Sequence, residues 1–191
     1  MSNVEAPHPV DPFPKAFGLP WPDLNDGLFY ADCVSTSDSG LTVIDFYWKK
    51  YSNSAPLNGW LQRINNGQVR IDGEVVVDPT TTVRCGSELV YHRLPWKEPH
   101  APHILEVLYE DDNIIAVNKP SGLQVLPGGL FQQRTVLTQL QWRVDRQIST
   151  TECEAYPVPV HRLGRGTSGI LLCAKTKLAK SRLASYFADM T

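Results

Sequence analysis

Nine residues near the middle of the chain, Leu94-Pro95-Trp96-Lys97-Glu98-Pro99-His100-Ala101-Pro102, limit what the rest can do. Each proline fixes its own φ and lacks an N–H, so neither a helix nor an inner strand can run through the segment. A chain of 191 residues suits one ordinary domain or two small ones, and this break selects two. Residues 95–103 are therefore expected to be a linker, with a compact module before it and a second domain after it. The first 22 residues carry six further prolines and few apolar clusters, so residues 1–40 are expected to be an irregular leader.

Between the leader and the linker, periodicity describes a small module over residues 41–94. Val43 to Tyr51 fits a short amphipathic helix. Leu57, Trp60, Leu61 and Ile64 follow the i, i+3, i+4, i+7 stripe of a second helix. That helix meets Asn66-Gly67, where glycine can take a left-handed C-terminal cap. Gln68 to Ile71 and Glu74 to Val77 then flank Asp72-Gly73, a hairpin signal, and Glu88 to Arg93 fits a further strand. Beyond the linker, Leu105 to Tyr109 and Ile114 to Asn118 read as strands around a polar turn. A helix fits Thr135 to Val144 and a strand fits Gly169 to Ala174. A last helix starts near Thr176, a good N-cap, with Ala179, Leu183, Tyr186 and Phe187 expected inward. Mixed strands and helices in this order predict an α+β fold.

Composition removes several function classes. No run approaches the ~18 apolar residues of a membrane span, so no membrane role is expected. Cys33, Cys85, Cys153 and Cys173 lie far apart, without the short paired spacing of a metal site, and read as thiols of a reducing compartment. His100 and His103 sit in the proline-rich break, so no metal is expected there either. The acidic beginning lacks arginine and an apolar core, unlike a transit or secretory segment. A cytoplasmic or nuclear location is expected, with an organelle left open. The net charge of −2 hides an asymmetry. Residues 1–47 hold one Lys or Arg against seven Asp or Glu, whereas residues 130–188 hold nine basic against three acidic residues. The basic stretch suits a polyanion, although solvated lysines on a helix give the same count.

Two sets of motifs sharpen this reading. Leu57-Asn58-Gly59-Trp60-Leu61-Gln62-Arg63-Ile64, then Gly67 to Gly73, then Val83 to Leu89, resemble an αL-type RNA-binding module. That resemblance implies RNA contact by Arg63, Gln68 and Arg70. After the linker come Tyr109-Glu110-Asp111-Asp112-Asn113-Ile114-Ile115-Ala116-Val117-Asn118-Lys119-Pro120-Ser121-Gly122-Leu123 and Val160-His161-Arg162-Leu163-Gly164-Arg165-Gly166-Thr167-Ser168-Gly169-Ile170-Leu171-Leu172. In order and spacing these resemble the opening of the catalytic domain of an RluA-type RNA pseudouridine synthase. The resemblance spans roughly residues 43 to 190.

Such enzymes detach a uracil from its ribose and rejoin it through carbon. The base must leave its stack and enter a pocket, and an aspartate carboxylate acts as nucleophile or base. The resemblance implies RNA as partner, no metal or organic cofactor, and a monomer. Arg162 matches the arginine that fills the space of the flipped base, where a planar cation can stack and bind phosphate. Arg165 matches the arginine after the catalytic position. His161, Leu163, Thr167, Ser168 and Gly169 complete the motif loop, and Lys119 marks a second loop near the cleft, where the resemblance implies contact with RNA by Lys119 as by Arg162 and Arg165.

At one position the chain departs from the pattern. Gly164 stands where the family keeps its aspartate, and glycine has nothing to attack with. Asp111, Asp112 and Asp145 are the nearest alternatives in sequence, but nothing in the pattern directs them to the pocket. Gly164 and Gly166 together are expected to loosen the loop. The family domain also runs past Thr191, so the resemblance implies an incomplete catalytic domain and a strand Gly169–Ala174 without neighbours. Three readings follow: a synthase at the level of the family, an RNA-binding protein without chemistry, or a shortened product with no role of its own.

Overall fold

The computed structural model describes residues 15–147 and 156–188. In chain order its elements are β1 (Ala16–Phe17), β2 (Leu28–Cys33), α1 (Val43–Tyr51), α2 (Leu57–Asn65), β3 (Val69–Ile71), β4 (Glu74–Val76), β5 (Glu88–Arg93), β6 (Leu105–Glu110), β7 (Ile114–Lys119), α3 (Val136–Gln147), β8 (Val158–Pro159), β9 (Gly169–Ala174) and α4 (Lys177–Ala188). The class is α+β, and every strand pairing is antiparallel. The elements gather into two compact units. One is Leu24–Lys97, and the other is built from the segments before and after it.

In the unit Leu24–Lys97, local chemistry sets each boundary. Thr42 caps α1 by accepting the Asp45 N–H at 3.2 Å and donating to the Asp45 carboxylate at 2.6 Å. Gly67, at φ 71, ends α2 and gives its N–H to the Ile64 carbonyl at 2.8 Å. Asp72 and Gly73 both have positive φ, 49 and 89, as a tight hairpin between β3 and β4 requires. The sheet order is β2-β5-β3-β4. Phe46, Tyr47, Trp60, Ile64, Val69 and Leu89 form the core beneath it.

Strand β2 corrects the expectation of an irregular leader. It pairs with β5 along its whole length, from Leu28 opposite Arg93 to Cys33 opposite Glu88. Most of its side chains are exposed, so it carries no apolar alternation to read. Cross-strand rings hold it instead. Phe29 stacks on His92 with centroids 4.2 Å apart, and Tyr30 lies parallel to Tyr91 at 6.0 Å.

The other unit has the sheet order β1-β6-β7-β9-β8. Strand β1 is a second ordered piece of the expected leader, with Phe17 opposite Leu105. Leu105, Ile115, Val117, Leu123, Val136, Leu140, Leu171 and Cys173 form the core. Strand β9 was expected to lack neighbours, yet it lies between β7 and β8. Among the described residues its outer edge is covered by the short strand Val158–Pro159 and by the Val160 N–H and the His161 ring, both bonded to Leu172, and Ile170 is 61% exposed. Thr176 caps α4, accepting the Ala179 N–H at 3.1 Å. Ala179 is buried and Leu183 half-buried, but Tyr186 is exposed. Phe187 takes the inward place through its contact with His161, the ring centroids 4.8 Å apart. Cys33 and Cys85 are exposed, whereas Cys173 is buried and its thiol pushed up to about 12. Cys153 lies outside the described residues.

Candidate functional site

The motif loop between β8 and β9 alternates its side chains. His161 and Leu163 turn inward, whereas Arg162 and Gly164 are exposed. The imidazole Nε2 of His161 accepts the Leu172 N–H at 3.0 Å, tying the loop back to β9. Burial lowers the His161 pKa, and that keeps the ring neutral as the bond demands. Leu163 packs against the unit's core. This alternation presents Arg162 and position 164 to solvent in the same stretch of loop, close to what a substrate-facing edge needs.

The backbone after Gly164 is held by the loop that follows β7. Ser121 donates its hydroxyl to the Gly166 carbonyl at 2.7 Å. The Arg165 carbonyl accepts the Gly122 N–H at 2.8 Å and the Lys119 ammonium at 3.3 Å. Thr167 closes the turn by giving its N–H to the Gly164 carbonyl at 3.0 Å. The two motifs, more than forty residues apart in sequence, therefore form one assembly. Arg165 orders it through its carbonyl, while its exposed guanidinium lies 5.1 Å from the centre of the Phe131 ring. Thr167 and Ser168 are exposed, and Gly169 begins β9 at φ 136.

Lys119 corrects an expectation. It was expected to face RNA, but its side chain is 0% exposed. Its ammonium donates to the carbonyls of Leu123 at 2.7 Å and Pro120 at 3.0 Å as well as to Arg165. Burial lowers its pKa below the ordinary lysine value. A cation sunk among three carbonyls is a staple between loops, with no surface left for phosphate.

Gly164 and Gly166 were expected to loosen this loop, but neither uses the left-handed backbone region that favours glycine. A Cβ built at Gly164 would meet one atom, the Thr167 hydroxyl, at 3.3 Å. A Cβ at Gly166 would meet nothing within 4 Å. A side chain at position 164, on this exposed face, therefore needs the Thr167 hydroxyl to give way by a few tenths of an ångström. Of the three carboxylates nearest in sequence, two are engaged elsewhere. Asp111 accepts the N–H groups of Asn113 and Ile114 within its own turn, and these bonds lower its pKa. Asp145 accepts the Tyr156 hydroxyl at 2.7 Å. Asp112 is exposed.

The basic stretch is smaller on the surface than in the sequence. Of its nine cations, Arg134 and Arg143 are buried. Arg143 and Lys175 both bind Glu110, at 2.7 Å and 3.2 Å. The exposed remainder is Arg146, Arg162, Arg165, Lys177, Lys180 and Arg182. Among the described residues no group of His, Cys, Asp or Glu could hold a metal ion. No helix among them is long and apolar enough to cross a membrane.

In the unit Leu24–Lys97, the three residues expected to face RNA run from the last turn of α2 into the first strand of the hairpin. Arg63 lies over the rings of Trp60 and Tyr91, at 4.6 Å and 5.1 Å. Gln68 donates to the His92 carbonyl at 2.9 Å, which partly occupies its amide. Arg70 is exposed and braces the hairpin through the Gly73 carbonyl at 3.0 Å. Sequence reasoning missed Glu98, which it left in the linker. Its buried carboxylate accepts the N–H groups of Gln132, Gln133 and Arg134 at 2.8, 2.8 and 2.9 Å. A Glu between prolines gives no sign of partners thirty-odd residues away.

A family model described as RNA pseudouridylate synthase matches residues 113–191. The chain is 68% identical over 186 residues to RNA pseudouridine synthase 5 of Arabidopsis thaliana, a match covering 95% of this chain and 50% of that protein. It is 60% identical over 181 residues to RNA pseudouridine synthase 5 of Oryza sativa subsp. japonica, covering 91% of this chain and 46% of the relative. It is 35% identical over 132 residues to ribosomal large subunit pseudouridine synthase D of Vibrio parahaemolyticus, covering 66% and 38%. The chain thus spans about half the length of the two plant relatives.

Proposed function

Because the chain belongs to the RNA pseudouridine synthase family, we propose that the protein containing it converts uridine to pseudouridine in RNA. One observation carries the reading to this chain's own residues. The loop His161–Gly169 is docked on Lys119–Gly122 with Arg162 and position 164 exposed. Arg162 would enter the space of the extruded uridine, and its guanidinium would bind flanking phosphate. Arg165 would add positive charge beside it. The unit Leu24–Lys97 would act as an αL-type RNA-binding module through Arg63, Gln68 and Arg70. The exposed apolar side chains Ile170 and Leu178 suit packing by further chain of the kind its longer relatives have.

Gly164 favours a second reading, RNA binding without chemistry. Losing an essential nucleophile typically costs several orders of magnitude in rate. The same position can take a side chain once the Thr167 hydroxyl shifts slightly, so one pair of proteins separates the readings. The natural full-length protein and its Gly164→Asp variant are incubated with cellular RNA, and pseudouridine is counted by mass spectrometry. If Gly164 has silenced a synthase, the variant forms pseudouridine at least about a thousandfold faster than the parent. Rapid turnover by the parent would place the carboxylate elsewhere in the full protein. No product from either would defeat the synthase reading and leave RNA binding.

A further inference from the structure

Within the unit Leu24–Lys97 lies a cavity of about 370 Å³, between the sheet and helices α1 and α2. That volume falls at the lower end for small-ligand pockets. Aromatic rings make most of its wall. Tyr47 stacks on Trp60 at 4.6 Å, Tyr91 meets Trp60 edge-on at 5.1 Å, and Tyr30 extends the wall outward. Arg63 and Arg93 also line it, and neither has a carboxylate at salt-bridge distance among the described residues. The one carboxylate of the wall, Asp32, is already held by Lys50 and by the Tyr51 hydroxyl. The Tyr47 hydroxyl is buried without a hydrogen-bond partner.

Aromatic surface, two cations without carboxylate partners and an unsatisfied buried hydroxyl call for one kind of ligand. It must be flat, carry hydrogen-bond acceptors and bear a negative charge at one end. A purely apolar ligand would leave the guanidiniums and the hydroxyl without use, and a cation would be repelled. We infer that this cavity takes a single nucleotide, its base against the exposed ring of Tyr30 at the mouth and its phosphate at Arg63 and Arg93, above the buried rings of Trp60 and Tyr91. The inference rests on the RNA-binding reading of this unit and changes its content. Recognition here includes an unstacked base, beyond backbone contact along α2 and the hairpin. The nucleotide can belong to a single-stranded RNA or be free in solution, and the chemistry of the wall is the same.

The test measures affinity of the full chain for three probes at fixed salt. They are a single-stranded RNA of about eight nucleotides, the same backbone without bases, and a competing free mononucleotide. The based strand is expected to bind about tenfold tighter than the abasic one, the size of one stacked base. Tyr30→Ala removes the exposed ring and should erase most of that gap, whereas Arg63→Met keeps the packing over Trp60, removes a phosphate contact and should weaken both strands. Tyr47→Phe breaks no native hydrogen bond, so the fold is kept, and should shrink the gap severalfold. Lys15→Met, an exposed charge outside this unit, should weaken both strands alike. Displacement of the strand by free mononucleotide at millimolar concentration identifies a free nucleotide as ligand. A persistent gap without displacement identifies a nucleotide within RNA. Equal binding of based and abasic strands, or a gap untouched by both Tyr30→Ala and Tyr47→Phe, overturns the inference. Pseudouridine formation is scored separately, so a full protein that makes none yet keeps the gap defeats the proposed function and leaves this site standing.

Discussion

The two units bury polar chemistry in opposite ways. In Leu24–Lys97 the buried set is aliphatic and aromatic apart from Asn25. The other unit buries Glu98, Lys119, Arg134, Thr135, Gln139 and Arg143 beside its apolar core. Several of them are bonded to residues far along the chain. Gln139 accepts the Leu19 N–H at 2.7 Å and donates to the Leu19 carbonyl at 2.8 Å, and Glu98 gathers three N–H groups ahead of α3. A buried apolar cluster tolerates substitution of similar volume, whereas a buried polar network is costly if one member goes missing. The first unit thus owes its order to pattern, and the second owes the position of its motif loop to particular atoms.

The hardest way to break this comparison is at Glu98. Glu98→Ala leaves three backbone N–H groups without their acceptor in a buried setting. At about 1–3 kcal/mol for each such group, a loss of about 3–5 kcal/mol is expected. Hydrogen exchange should show it as faster exchange of amides from Leu123 to Leu140, with Val69 and Leu89 still protected. Loss of protection in both units together would mean that they unfold as one body, and the contrast would collapse.

A smaller effect sharpens the contrast from the other side. Gly73 has φ 89 and open space around it, so Gly73→Ala adds backbone strain and no clash. A cost of about 1 kcal/mol is expected, confined to the unit Leu24–Lys97. Gly166→Ala, in open space and without positive φ, should cost almost nothing. Thermal melts of both variants test the pair. A larger loss at Gly166 than at Gly73 would mean the motif loop does use glycine's freedom.

The same contrast explains what could be read from sequence. Helices α1 and α2, the Asp72-Gly73 hairpin and β5 follow from apolar spacing and turn residues within about ten positions of each other. The motif loop was legible as a motif, and so was the missing side chain at Gly164. Strand β2 was not, because its order comes from a partner sixty residues on and from ring pairs rather than from alternation. The buried state of Lys119 was equally hidden. It lies between the expected strand Ile114 to Asn118 and Pro120, where a loop begins, and its acceptor Arg165 lies 46 residues away. The cavity beside Trp60 was invisible for a related reason. Its aromatic residues read as core, and the space between them exists only once α1, α2 and the sheet are assembled.

The finest distinction is in pH. His161 accepts the Leu172 N–H only while Nε2 is unprotonated, and burial lowers its pKa below the usual 6.5. The unfolded chain takes up the proton first as the solution is acidified. Stability from this group is therefore fully present above pH 6.5, declines as pH falls toward the lowered folded value, and is flat below it. His161→Gln offers a side-chain oxygen as acceptor and does not titrate in this window. Melts of parent and variant just below pH 6.5 should show a decline in the parent that the variant lacks. The effect is the smallest of the three, yet it acts on the segment that presents Arg162 and position 164. A decline that persists in His161→Gln would assign it to another group and detach the loop's anchoring from its imidazole. A decline that disappears ties the exposed face of the motif to a single neutral ring.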